Sequence, residues 1–324
     1  MILLKESDVR TVLSMPDLIA AMESALSAYS SGEVRQPLRT VLEVGTSAFF
    51  GVMPAFIPGS GALAAKLVTV FPTNADAGLP THLATIVLLD ASTGELLGVM
   101  DGRYITEART AAVSAVSTKL LAPAGAGVLG IIGSGVQARS HLDALSHVRR
   151  LREVRVWSPT AAHREAFARE MQPVSAAPIR PVDSAREAAA GADLLVLATS
   201  SREPVVESGW VADGAHVCAV GACRPDQREM DTGLVCRARV FVDSRIGALA
   251  EAGDIVIPIR EGAFDPGGIA GELGELIAGR AIGRTSPSDV TVFKSLGMAV
   301  EDTAAAHLAY ARATERGLGR GICL

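Results

Sequence analysis

Four places in the chain carry residues whose types and spacing could do chemistry. The first is Gly133-Ser134-Gly135-Val136-Gln137-Ala138, which follows the apolar run Val128–Ile132. Gly133-x-Gly135-x-x-Ala138 has the spacing of the turn between the first strand and first helix of a dinucleotide-binding unit. Gly133 permits the tight bend, Gly135 lets backbone approach a pyrophosphate, and Ala138 allows close packing of helix on strand. The helix start offers unbonded N–H groups and partial positive charge to the phosphates. The second place is Lys66, inside the otherwise apolar Leu63-Ala64-Ala65-Lys66-Leu67-Val68-Thr69-Val70-Phe71. An ammonium there must be paired, neutralised or facing a cleft; the competing reading is an edge-strand charge that discourages aggregation. The third is Arg109, in Thr106-Glu107-Ala108-Arg109-Thr110-Ala111-Ala112. A guanidinium among alanines is either a surface charge or a clamp for a carboxylate or phosphate. Arg39, after Gln36-Pro37-Leu38, is ambiguous by itself, and His82 reads as a satisfied structural histidine.

The fourth place decides between cofactors. A dinucleotide unit that selects NAD ends its second strand on a carboxylate that grips the adenosine ribose. This chain has Val156-Trp157-Ser158-Pro159-Thr160 there. The small hydroxyls of Ser158 and Thr160, with His163 and Arg164 just beyond, suit a 2′-phosphate, so NADPH is expected, with NADH possible. Arg164 reads equally well as a solvated helix residue.

These residues need elements to hold them. Ser14-Met15-Pro16-Asp17 caps and starts a helix, and Leu18, Met22, Ala25, Leu26 and Tyr29 continue it to Gly32. From Thr40 to Asp101 the period is two. Thr40–Val44, Phe49–Phe56, Leu63–Phe71, Leu83–Asp90 and Leu96–Met100 read as strands of a mostly antiparallel or mixed sheet. A helix over about Ile105–Leu121 leads through Pro123-Ala124-Gly125-Ala126-Gly127 into alternating strands and helices. The strands are Val128–Ile132, Val154–Trp157, Ile179–Val182, Leu194–Ala198, His216–Val220, Val240–Val242 and Val290–Phe293. The helices are Val136–Ser146, Ala161–Met171, Ala185–Ala190 and Arg245–Ala252. Such alternation specifies an α/β protein: a Rossmann doubly wound parallel sheet, joined to an α+β domain. A last helix, Met298 to about Glu315, is long enough to return to the first domain. The expected division is 1–121 with 303–324 as substrate-binding and dimerisation domain, and 122–302 as dinucleotide-binding domain.

Composition removes several classes. At 324 residues, 49% of them hydrophobic, the chain can build two cores. A net charge of −5 leaves no basic footprint for nucleic acid. Lys66 interrupts the longest apolar run, which is too short to span a bilayer, and Lys5, Glu6 and Asp8 occupy the place of a signal peptide's apolar core. A cytoplasmic protein is expected. Cys218, Cys223, Cys236 and Cys323 form no C-x-x-C pair and have no histidine at metal-ligand spacing, so no metal is expected.

Several ordered segments resemble the ornithine cyclodeaminase/mu-crystallin family over nearly the whole chain. They are Ala65–Asn74, Gly78-Leu79-Pro80-Thr81-His82, Val99-Met100-Asp101-Gly102, Arg109–Ala115, Gly130–Ala138, Val242-Asp243-Ser244-Arg245 and Thr291–Asp302. The resemblance implies a homodimer built on the N-terminal sheet and the returning C-terminal helix, with a nicotinamide cofactor between domains. It places Arg39, Lys66 and Arg109 on an amino-acid carboxylate. It places Thr81, Val136, Gln137, Ser158, Thr199, Val220, Gly221 and Ser295 against the cofactor; Gly133 and Gly135 of the glycine turn, Thr160 and Arg109 are expected to join them. Three cations on one carboxylate would fix an α-imino or α-amino acid, and a Lys66 made less basic by burial could move the imine proton.

In one loop the chain departs from the cyclodeaminases. They carry an aspartate shortly after the strand that here ends Ala219-Val220-Gly221-Ala222, where this chain has Cys223, then Arg224-Pro225-Asp226-Gln227-Arg228-Glu229. That loop is closer to mu-crystallin and the ketimine reductases, and Asp226 is the residue that could still supply a carboxylate. The expected activity is NAD(P)H-dependent reduction of the C=N bond of a small α-imino acid, such as pyrroline-2-carboxylate, to an L-amino acid. The alternatives are ornithine cyclodeaminase, an alanine or opine-type dehydrogenase, and a non-catalytic NADPH-binding protein of the crystallin kind.

Overall fold

The computed structural model describes residues 1–45 and 48–323. The chain divides into two compact units, Met1–Arg109 with Gly297–Leu324, and Thr110–Leu296. Both boundaries lie earlier than the sequence suggests. The first falls inside the Arg103–Leu121 helix rather than after it: Thr106 in its first turns meets Lys66 of the first sheet, while Ser114 and Ser117 further along meet His141 and His216 of the second unit.

The first unit is a seven-stranded sheet. In spatial order its strands are Arg320–Gly321, Ile2–Leu4, Leu96–Asp101, His82–Asp90, Ala62–Val70, Ala48–Ile57 and Thr40–Gly45. Only the Ile2–Leu4 and Leu96–Asp101 pair is parallel, as expected for strands that follow one another without helices. Period-two alternation turns one face inward: Ala62, Ala64, Lys66 and Val68 are buried while their neighbours are half-exposed. The Ala299–Glu315 helix packs on the Ala48–Ile57 and Ala62–Val70 strands and on the Met15–Ser30 helix. The latter starts as its sequence requires, with Ser14 Oγ accepting from the Asp17 N–H at 3.3 Å and Pro16 in the first turn.

The second unit carries eight strands, all parallel, in the order Ile269–Glu272, Arg239–Val242, Thr291–Lys294, His216–Ala219, Leu194–Leu197, Val128–Ile132, Glu153–Trp157 and Ile179–Pro181. The order reverses between Val128–Ile132 and Leu194–Leu197, which is where doubly wound sheets bind ligands. Both faces are covered. Leu195, Leu197, Val217 and Val242 enter one apolar layer, and Leu194, Val196, Ile131 and Val156 the other. Each such fully buried side chain contributes about 1.5–3 kcal/mol. No helix among the described residues is long and apolar enough to cross a membrane.

Candidate active site

In the first unit, Lys66 stands in the inner row Met53–Lys66–Ile86–Met100 that runs across four adjacent strands. Its strand is interior to the sheet, so the edge-strand reading of this charge does not hold. The side chain is 3% exposed, and an ammonium so placed requires a partner. The partner is Asp302, whose Oδ2 lies 2.5 Å from Lys66 Nζ, an ion contact rather than an aligned hydrogen bond. Thr106 Oγ1 accepts a longer bond at 3.4 Å. Arg109, also buried, donates from Nε to Asp302 Oδ1 at 3.0 Å and from Nη1 to Glu301 Oε2 at 2.6 Å. Arg39 donates to the Gly297 carbonyl at 3.4 Å.

Lys66 and Arg109 thus share the Asp302 carboxylate, and Arg39 is close enough for its charge to act on Lys66. Glu301 and Asp302 occupy the first turn of the Ala299–Glu315 helix, where its dipole favours negative charge. Both lie in the family-like segment Thr291–Asp302, where the only local sign of a role is a pair of acids opening a helix otherwise rich in alanine. Burial pulls the Lys66 pKa down to about 8, against the pull of Asp302 and with help from Arg109 and Arg39. Burial would raise Asp302, but Arg109 and Lys66 outweigh it and hold the carboxyl below its ordinary value. His82 is lowered to about 4 by burial and by Lys66 and Arg109, so it is neutral near pH 7. Together Lys66, Arg109, Arg39, Glu301 and Asp302 carry a formal net charge of +1. Thr81 is exposed at the head of the His82–Asp90 strand, its carbonyl accepting from the Phe71 N–H at 2.8 Å.

In the second unit the expected cofactor residues collect at the carboxyl ends of the parallel strands. Gly133 and Gly135 follow Val128–Ile132, Ser158 and Thr160 follow Glu153–Trp157, and Thr199 follows Leu194–Leu197. Val220 and Gly221 follow His216–Ala219, and Ser295 follows Thr291–Lys294. Gly133 has φ +115°, and a Cβ there would collide with the Ala198 carbonyl across the point where strand order reverses. At Gly135 a Cβ would meet nothing within 4 Å, so the backbone before the Val136–Ser146 helix is open to approach. That helix start has no side-chain cap. Val136 is exposed, and Gln137 Oε1 and Ser295 Oγ are buried without a hydrogen-bond partner, a costly state that a polar ligand would relieve. These features fit a dinucleotide. Ser158 is buried and donates to the Thr160 carbonyl at 3.3 Å, Thr160 itself is exposed, and Arg164 donates to the Ser158 carbonyl at 3.2 Å and to Asp183 at 2.6 Å.

Asp226, the carboxylate expected as a substitute in the loop after Gly221, is 46% exposed. It pairs with Arg224 at 3.1 Å and Arg202 at 3.8 Å. The acid of that loop that turns inward is Glu229, which is fully buried. Cys223 Sγ approaches the Val220 carbonyl at 3.4 Å. Among the described residues no group of histidines, cysteines or carboxylates could hold a metal ion.

A doubly wound dinucleotide-type sheet, joined to a unit with a buried lysine–carboxylate–arginine cluster, defines an oxidoreductase of the α/β class. The chain belongs to the ornithine cyclodeaminase/mu-crystallin family, whose pattern it matches over residues 1–317. It is 45% identical to the ketimine reductase mu-crystallin of Mus musculus over 297 residues, 90% of this chain and 91% of that one. It is also similar to the structure of Thermococcus litoralis Δ1-pyrroline-2-carboxylate reductase in complex with NADH and L-proline. There the TM-score is 0.97 and the identity 42%, covering 99% of this chain and 100% of the other. An archaeal alanine dehydrogenase dimer with bound NAD gives a TM-score of 0.95 at 32% identity, covering 100% and 99%.

Proposed function

We propose that the protein reduces the C=N bond of a small cyclic α-imino acid, pyrroline-2-carboxylate or a similar ketimine, to the L-amino acid at the expense of NADPH. The observation that carries the reading is Lys66: a buried, ion-paired ammonium with its pKa near 8, in a chain that also carries a dinucleotide turn. When bound, the reduced nicotinamide supplies a hydride to the imine carbon. The imine nitrogen must then hold a proton. Lys66 is suited to give it, because a general acid works best with a pKa near the working pH. Asp302 keeps Lys66 charged, and Arg39 and Arg109 orient the substrate carboxylate, whose charge the net +1 of the cluster balances. Arg109 is itself held in place by Glu301 and Asp302, so its guanidinium is preorganised.

Gly133, Gly135, Val136 and Gln137 would hold the pyrophosphate side of the cofactor, with Ser158 and Thr160 at the adenosine ribose. Thr199, Val220, Gly221 and Ser295, together with Thr81 and Arg109, complete the contacts carried over from the family. The absence of a carboxylate directly after Trp157, where Ser158 and Thr160 stand instead, favours NADPH over NADH. Asp226 has no role in this reading, being committed to surface arginines, and a cyclic imine needs no carboxylate to receive an amine.

The working form is a homodimer in the cytoplasm. The second face of the first unit's sheet carries apolar rows across neighbouring strands: Val52–Leu67, Pro54–Ala65–Val87 and Phe56–Leu63–Leu89. These side chains are half-exposed, and Leu42 and Leu83 beside them are exposed. A second copy of the chain is the occupant such a face fits. The alanine dehydrogenase of similar fold is described as a dimer.

Supplying NADPH with a panel of imino acids tests the activity. Steady NADPH oxidation with pyrroline-2-carboxylate is expected, with negligible proline from ornithine plus NAD⁺. Stoichiometric proline and ammonia from ornithine would make the protein a cyclodeaminase, and cofactor binding without turnover of any imine would make it a binder.

A further inference from the structure

Beneath the strand ends of the second unit lies a buried charged group that the proposed reaction does not use: Glu229, Asp254 and Lys294, none of them exposed to solvent. Glu229 touches three segments. Its Oε1 accepts from the Thr199 N–H at 2.6 Å and the Thr199 hydroxyl at 2.9 Å. Its Oε2 accepts from the Gly221 N–H at 2.7 Å and the Ala222 N–H at 3.3 Å. Its backbone carbonyl accepts from the Val205 and Val206 N–H groups at 2.8 and 3.1 Å. A single carboxylate therefore ties together the loops that leave two adjacent parallel strands, Leu194–Leu197 and His216–Ala219. The fit is close, since a Cβ on Gly221 would collide with the Thr199 backbone and the Glu229 carboxylate together.

The group is itself held. Asp254 Oδ1 accepts from the backbone N–H of Glu229 at 2.8 Å and of Met230 at 3.0 Å. Its other oxygen lies 3.2 Å from Lys294 Nζ, an ion pair without hydrogen-bond alignment. Lys294 ends the strand that precedes Ser295. Burial opposes its charge, but Asp254, Cys223 and Glu229 outweigh burial and raise its pKa. Burying three ionisable groups is costly, and apolar residues of equal volume would generally be at least as stable. The charge is better explained by what it fixes than by stability.

We propose that Glu229 is a positioning residue for the nicotinamide half of the cofactor: its carboxylate sets the spacing of the Thr199 and Val220–Gly221 loops, and Asp254 and Lys294 hold it in place. This rests on the dinucleotide reading of the unit. Of the two mononucleotide halves of such a sheet, the glycine turn and the strand after it serve the adenosine side. Leu194–Leu197 and His216–Ala219, across the reversal in strand order, serve the nicotinamide side. All four donors to Glu229 point at an acceptor-only group. A glutamine there would set an NH₂ against one pair of them and release one loop.

The test compares two ligands that share the adenosine half, NADPH and 2′-phospho-ADP-ribose, which lacks nicotinamide. In Glu229→Gln the Kd for NADPH is expected to rise tenfold or more, and that for 2′-phospho-ADP-ribose to stay within about twofold. An equal loss for both ligands, as from general loosening of the unit, overturns the proposal, and so does no loss for either. Should the variant fail to fold, the wild-type protein gives the answer through pH. The Glu229 pKa is raised to about 7 by burial, against the opposing pull of Lys294 and with Asp254 adding to the rise. Its protonation removes an acceptor from one loop. The ratio of the NADPH Kd to the 2′-phospho-ADP-ribose Kd should therefore climb as pH falls from about 8 to about 6, and a flat ratio overturns the proposal. Binding of neither ligand by the wild-type protein removes the dinucleotide reading, and this inference with it. Binding of 2′-phospho-ADP-ribose with an unchanged NADPH preference in Glu229→Gln removes this inference alone.

Discussion

Asp302→Asn isolates what the carboxylate does for Lys66. The substitution is isosteric, and its amide oxygen can still accept the Arg109 Nε–H that Asp302 Oδ1 accepts at 3.0 Å. What changes is the atom 2.5 Å from Lys66 Nζ, which becomes an uncharged NH₂. A single opposite charge at such range raises the pKa of its partner by about 1–3 pH units. Without it, the Lys66 pKa falls from about 8 to between roughly 5 and 7. The proposed proton donor is active in its charged form, so the rate declines as pH rises through the Lys66 pKa. At pH 7.5 the charged fraction drops from about three-quarters to about 3% for a pKa near 6, a loss of about 25-fold in kcat/KM. Initial rates of NADPH oxidation with pyrroline-2-carboxylate, taken over about pH 5.5–9, read this directly. The falling limb of the profile should shift to lower pH, and much of the lost rate should return on the acid side. A variant whose falling limb stays near pH 8, or that loses the same factor at every pH, would refute the coupling of Asp302 to a proton donor.

Two further outcomes follow from the same geometry. Lys66→Met fills the volume without the charge and should cost about 10²–10⁴ in kcat/KM while leaving NADPH affinity within about twofold; wild-type turnover by the folded variant would end the proposed role. NADPH should bind at least about tenfold more tightly than NADH, since the ribose–carboxylate bonds of an NAD site are missing and phosphate contacts are gained, each counting about 1–3 kcal/mol. Fluorescence titration of both reduced cofactors measures this, and a clear preference for NADH would contradict it.

The turn at Gly133 was legible because its demands are local: a positive φ, a strand before it and a helix after it within a dozen residues. The period-two strands from Thr40 to Asp101 were legible for the same reason, each carrying its own alternation. Lys66 stood out as anomalous, but its meaning depended on strand order, and only the sheet shows that its strand is interior. Asp302 could not be assigned, since it meets Arg109 across 193 residues of chain and nothing local announces that pairing. The same limit hid Glu229. It sits three residues beyond Asp226, and an acid in a loop gives no sign of whether it turns inward. The strands Ile2–Leu4, Ile269–Glu272 and Arg320–Gly321 are too short to show a period, and the short helices Thr232–Arg237 and Leu273–Ile277 have the same defect. Placing Thr291–Lys294 between His216–Ala219 and Arg239–Val242 is likewise a matter of long-range pairing.

The first unit is built from two separated stretches, and its ion cluster draws on both: Lys66 and Arg109 from the first, Glu301 and Asp302 from the second. During synthesis the two cations leave the ribosome long before their counter-charges exist. At about 5–20 residues per second, the roughly 190 residues between Arg109 and Asp302 take on the order of 10–40 s to appear. For that interval the inner face of the sheet lacks both the Ala299–Glu315 helix and the charges that make its lysine tolerable, so the sheet cannot close around Lys66. The Thr110–Leu296 unit has all its strands by then and is free to fold first. Order of assembly thus follows from where the carboxylates sit in the chain: the part that holds the ion cluster is finished last.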